Sequence, residues 1–157
     1  MSQLSLANLL LPDRIKIPVE AEDKHGVIEE MCGFLSDLVE ASEEERQAIQ
    51  VAVLEREAVL STGIGGNVAI PHGKSEAVGE LVLVAGRTAG PIDFDAIDER
   101  PVRLLLLLVG PESAADQHVR VLSRIGRVMR NAALRQELID APSPEAFHGV
   151  IAAAEAL

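Results

Sequence analysis

Apolar residues along this chain recur at two spacings, and the changes from one to the other divide it into elements. Leu4 to Leu11 form a short apolar segment that ends at Pro12-Asp13. Ile15, Ile17 and Val19 then alternate with Lys16 and Pro18; this is the period of a strand, and Pro18 puts that strand at an edge or ends it. From Lys24 to Glu40 the period becomes helical, with Val27, Ile28, Met31, Cys32, Leu35, Leu38 and Val39 on one stripe. Ser42-Glu43-Glu44-Glu45 is a capping-box pattern that opens a second helix to about Glu57. Its apolar face is Ile49, Ala52 and Val53, and the next position on that face is Arg56.

Beyond the second helix the strand pattern returns. Val68 to Ile70 reads as a short strand, and Leu81 to Ala85 as another, left through Gly86-Arg87-Thr88-Ala89-Gly90-Pro91. Leu104 to Val109 is apolar without interruption, as expected of a strand covered on both faces. Pro111 stops it, and Ser113-Ala114-Ala115-Asp116 predicts the cap of a helix whose inward stripe is Val121, Leu122, Ile125, Val128 and Met129. Ser143-Pro144-Glu145 starts a last helix with Phe147, Val150, Ile151 and Ala154 turned inward. Strands interleaved with helices predict an α/β layered fold. A chain of 157 residues, with no repeat or linker, is expected to form one domain over residues 1–157.

Composition narrows the class. Hydrophobic residues make up 48% of the chain, yet its three aromatics are all Phe, so the core has to be aliphatic. A single cysteine excludes an intrachain disulfide and fits a reducing compartment. No basic N-region precedes a long apolar segment, and the run Leu104–Val109 is too short to span a bilayer, so a cytoplasmic location is expected. A net charge of −11 argues against nucleic acid as a partner, because that binding neutralises phosphates with basic side chains. The same charge repels free anions, which favours protein partners over small phosphorylated metabolites.

Candidate chemistry concentrates in Ser61–Ser75, Ser-Thr-Gly-Ile-Gly-Gly-Asn-Val-Ala-Ile-Pro-His-Gly-Lys-Ser. Pro71 fixes its own φ and biases Ile70 toward extended backbone, and Gly73 lets the chain turn away, so His72 is presented on a stiff corner. Two phosphate-binding motifs fail here. Both the P-loop and the dinucleotide fingerprint require a glycine where Val68 stands. His118 lies one turn before Val121 and Leu122 on the same helical face; a packed core histidine and a site histidine both fit that position. Arg56 likewise reads as a surface arginine or as a site residue. His25 is polar-flanked at a helix start, His148 lies on the more polar side of the last helix, and neither receives a role. The four histidines and one cysteine have no metal-ligand spacing, so neither a metal nor another cofactor is implied.

The segment Ser-Thr-Gly-Ile-Gly-x-x-x-Ala-Ile-Pro-His-Gly-Lys resembles the active-site segment of the enzyme IIA domains of the bacterial phosphotransferase system, fructose/mannitol type, which includes the nitrogen-regulatory enzyme IIA. Phe94-Asp95-Ala96-Ile97-Asp98 with Pro101-Val102 resembles the approach to a central strand in that family. His118-Val119-Arg120-Val121-Leu122-Ser123 resembles the helix that carries its second histidine. The three segments occur in the family's order and spacing. Gly66-Asn67 departs from the glycines of many relatives, and Asn tolerates positive φ better than most residues.

The resemblance implies a mixed β-sheet flanked by helices on both faces. It implies a phosphotransferase that carries phosphate transiently on His72, attacking through Nε2, with His118 hydrogen-bonding the phosphoryl group and Arg56 compensating its charge. The implied donor is the phosphohistidine of the small phosphocarrier protein. The wording of the two loop motifs and the stand-alone length look more like the nitrogen-regulatory branch than a sugar-specific IIA that passes phosphate to a IIB domain. A IIA-like binding module that carries no phosphate is a third expectation, of another class.

Overall fold

The computed structural model describes residues 5–156. A mixed sheet runs through the middle of the molecule in the order β1 (Ile15–Val19), β5 (Val82–Ile92), β6 (Val102–Gly110), β3 (Val68–Ala69), β2 (Gly63–Gly65). A further short strand, β4 (His72–Lys74), pairs with β6 beyond β3, so that β3 and β4 follow one another along the same flank. β6 is parallel to both of them and antiparallel to β5, while β1 is parallel to β5.

β6 is the axis of the fold because its side chains alternate between two cores. Leu104, Leu106 and Leu108 enter one cluster with residues of α1 (Leu6–Leu9), α4 (Ala115–Val128), α5 (Ala132–Asp140) and α6 (Pro144–Glu155). Leu105, Leu107 and Val109 enter the opposite cluster with residues of α2 (Lys24–Leu38) and α3 (Glu43–Val59). All six are fully buried. Each such side chain contributes about 1.5–3 kcal/mol relative to exposure, and a polar residue anywhere in the run would face one core or the other. The mixed sheet between helices is therefore the outcome that the uninterrupted apolar run requires.

Several local expectations hold in detail. The capping box closes as read: Ser42 Oγ accepts from the Glu45 N–H, and Glu45 Oε1 accepts from the Ser42 N–H. Ser143 caps α6 through the Ala146 N–H, with Pro144 at the first helical position. β1, with Pro18, is an edge strand. Cys32 is core, and burial pushes its thiol up to about 12.

Other expectations need correction. β5 does not leave the sheet at Gly86; it continues to Ile92. Gly86 marks close packing: a Cβ there would stand 2.6 Å from Val19 Cγ2 and 2.9 Å from Met31 Sδ. α4 is not capped by Ser113. A 3-10 turn, Glu112–Ala114, leads into it, and Ala114 at its N-cap offers no side-chain bond. α5 has no counterpart in the sequence reading; it is capped by Asn131 and buries only Leu134 and Leu138, too few to show a period. The apolar segment expected from Leu4 becomes α1, with Leu4 itself outside the described residues. His148, given no role from the sequence, has a structural one: its Nε2–H donates to the Ala7 carbonyl at 2.9 Å and ties α6 to α1.

Candidate functional site

His72 is the first residue of β4, opposite Leu108 on β6. The strand flank breaks at Ile70-Pro71, between β3 and β4, as a residue before proline and a proline without an N–H dictate. The Pro71 carbonyl still accepts from the Leu108 N–H at 3.1 Å, which holds the corner onto the sheet. His72 itself is half-buried. Nδ1 lies 2.8 Å from the carbonyl oxygen of Ile70. A carbonyl only accepts, so Nδ1 carries the proton and Nε2 keeps its lone pair.

His118 stands in the first turn of α4, 4% exposed, with its ring centroid 5.5 Å from that of His72 and the two planes at 68°. Burial, then the neighbouring His72 and Lys74, push His118 down to about 4, against a weaker opposing effect of Glu112. His72 is lowered too, first by burial, then by Arg56 and Lys74, while the Ile70 hydrogen bond and Glu57 oppose this. Both rings are therefore neutral near pH 7. One can attack through nitrogen and the other can donate a hydrogen bond without first losing a charge.

Arg56, in the last turn of α3, donates from Nη1 to the Leu60 carbonyl at 2.8 Å and acts on His72 electrostatically. The fold thus brings His72, His118 and Arg56, predicted from three distant segments, to one corner of the sheet. Lys74, two residues past His72 on the same strand, adds positive potential toward both rings and lies 3.6 Å from Glu112. Arg56 and Lys74 thus bring positive charge to the two rings of a strongly acidic protein, with Glu57 and Glu112 opposing them there.

Sequence reasoning missed the layer behind these residues. It took Arg56 as the continuation of the apolar face of α3, whereas the buried stripe is Ile49, Val53 and Glu57. The four-residue spacing from Val53 to Glu57 was the available signal. The Glu57 carboxylate accepts from the Thr62 N–H at 2.9 Å and the Thr62 hydroxyl at 2.5 Å, and Lys24 Nζ lies 3.0 Å away. Gly66 and Asn67 form the turn between β2 and β3 with φ of 64° and 70°, a conformation that Asn accepts.

Comparison with known proteins defines the class. A sequence model of the family described as "Phosphoenolpyruvate-dependent sugar phosphotransferase system, EIIA 2" matches residues 8–154. The chain belongs to this family, whose members are phosphotransferases that carry phosphate on histidine. Among its relatives is a nitrogen regulatory protein of Bradyrhizobium diazoefficiens, 30% identical over 95% of each chain. Another is a fructose-specific EIIA component of Haloferax volcanii, 37% identical over 82% of each chain. The fructose-specific EIIABC component of Bacillus subtilis is 32% identical, and this chain spans 23% of its length. The crystal structure of nitrogen regulatory protein IIA-Ntr from Neisseria meningitidis superposes with a TM-score of 0.83, at 29% identity, over 93% of this chain and 98% of that one. Among the described residues no helix is long and apolar enough to cross a membrane.

Proposed function

We propose that His72 is the phosphorylated residue of this EIIA protein and that it receives the phosphoryl group from the phosphohistidine of a small phosphocarrier protein. The observation that carries this reading is the 2.8 Å bond from His72 Nδ1–H to the Ile70 carbonyl, which leaves Nε2 as the only ring nitrogen with a free electron pair. That pair forms the new N–P bond as the donor's N–P bond breaks, and the donor imidazole keeps the departing pair. The product is an imidazolium whose Nδ1–H still faces the Ile70 oxygen, so the bond that fixed the tautomer also stabilises the positive ring.

Phosphoryl transfer asks the protein mainly for alignment and for charge opposite the equatorial oxygens. Arg56 supplies that charge, with a planar fork of donors. His118 donates a hydrogen bond from its neutral ring. Proteins of this class work with phosphocarrier proteins and IIB domains. For this chain we favour the regulatory branch, in which phosphorylation changes which proteins are bound; its similarity to nitrogen regulatory proteins over nearly the full length supports this. The fructose-specific relatives support the second reading, a sugar-specific IIA that passes phosphate to a IIB domain.

Incubation with phosphoenolpyruvate, enzyme I and the phosphocarrier, followed by intact-mass measurement, tests the reading. One phosphate adduct on the wild type, absent from His72→Ala, is expected. No adduct on the wild type would instead mark a binding module. Partner capture with the phosphorylated and unphosphorylated forms, beside phosphate transfer to a IIB domain, separates the two branches.

A further inference from the structure

We propose that Glu57 is a positioning residue for His72: a buried carboxylate, neutralised by Lys24, that locks Thr62 and through it the Ile70 carbonyl that orients the imidazole. The inference rests on His72 as the phosphate carrier. Three hydrogen-bonded steps connect the two groups. Glu57 accepts from the N–H and hydroxyl of Thr62 at 2.9 and 2.5 Å; the Thr62 carbonyl accepts from the Ile70 N–H at 3.0 Å; the Ile70 carbonyl accepts from His72 Nδ1–H at 2.8 Å. Thr62 and Ile70 are each held at both their N–H and their carbonyl, so neither peptide can rotate without breaking a bond. Glu57, Thr62 and Ile70 are 6%, 5% and 6% exposed, so water does not readily replace a lost bond.

The position of the carboxylate argues for a purpose beyond packing. The stripe Ile49, Val53 continues to position 57, where an apolar side chain would fill the same space without desolvating a charge. Instead the chain places an acid there and brings Lys24, from the start of α2, to within 3.0 Å of it. The same ammonium lies 4.9 Å from the centroid of the Phe94 ring and 3.6 Å from Asp95, so the pair also anchors the loop beside Thr62. On the outer side Arg56 grips the Leu60 carbonyl at 2.8 Å. The last turn of α3 thus clamps Leu60–Thr62 from both sides, with consecutive residues that point oppositely.

A double variant, Lys24→Met with Glu57→Leu, tests this in the full chain. It replaces the ion pair by apolar groups, so that no buried charge is left unpaired and the cost is confined to the Thr62 N–H and hydroxyl that lose their acceptor. Two measurements are made: the ¹⁵N shifts of the His72 ring, which report its tautomer without phosphate, and the rate of phosphate uptake from the phosphocarrier. Expected are a cooperative fold, a His72 ring that samples both tautomers, and uptake slowed about 10- to 100-fold, as when the outer partner of an oriented histidine is lost. A single Nδ1–H tautomer together with uptake within about twofold of wild type would overturn the proposal. Should the double variant not fold, the isosteric Glu57→Gln is judged by the same two measurements and the same outcomes. Failure of the carrier reading is separate: the wild type then takes no phosphate on His72, while the tautomer measurement still decides whether Glu57 positions the ring.

Discussion

Gly73 faces the backbone of Val53 so closely that a Cβ added to it would stand 3.0 Å from the Val53 nitrogen. This contact brings β4 down onto α3 immediately after the site histidine and one turn before Arg56. The glycine after His72, which the sequence suggests is there to let the chain turn, also sets the distance between the imidazole strand and the guanidinium helix. Gly73→Ala must therefore push strand and helix apart. Both are main chain at the contact, and no flexible side chain can give way. A loss of about 1–3 kcal/mol in urea unfolding is expected, together with slower phosphate uptake; unchanged stability would mean that α3 yields.

His118→Ala should still accept phosphate, because the nucleophile and its tautomer are set by Ile70. Onward transfer should fall on the order of 100-fold, the usual cost of one donor to a developing anion. Separate rates of uptake and of transfer to an acceptor check this. Wild-type transfer would remove His118 from the mechanism.

The two histidines give the protein a specific acid sensitivity. Each has a folded-state pKa below its ordinary 6.5, His118 at about 4, so the unfolded chain binds more protons between these values. Stability from this source is complete above about pH 6.5 and is lost as pH falls toward about 4, by on the order of 3 kcal/mol for His118. Urea midpoints across that range should show the decline, and His118→Gln should flatten it. The proposed phosphorylation of His72 would place a dianion beside His118, so the His118 ring should then titrate at a higher pH. NMR titration of both forms reads this directly.

Arg56→Lys tests whether charge alone suffices. A guanidinium can bond the Leu60 carbonyl and still present donors to phosphoryl oxygens, which a single ammonium does less well. Stability should change by less than about 0.5 kcal/mol at this partly exposed helix end, while uptake falls roughly tenfold. Equal uptake by the two forms would reduce Arg56 to a source of long-range potential.

The architecture was largely legible from periodicity. Five leucines and a valine in unbroken succession, closed by Gly110-Pro111, read as a strand covered on both faces, and the stripes of α2, α4 and α6 each state which way they face. Glycine misled at Gly86, because closeness of packing and a change of direction call for the same residue. α5 escaped notice because two buried leucines in nine residues do not establish a period.

For the site, the local sequence determined what depends on neighbours along the chain: the stiff Pro71 corner, the placing of His72 directly after it, the Ser42 cap, and the residue types proposed to hold phosphate. Tertiary structure alone decided that His118 meets His72 with ring centroids 5.5 Å apart, that Glu57 faces inward while Arg56 faces out, and that Lys24 closes the buried pair. The reason is physical. Backbone preferences act over a few residues, whereas hydrogen bonds and charge pairing between segments exist only after the two aliphatic cores have drawn β6, α3 and α4 together.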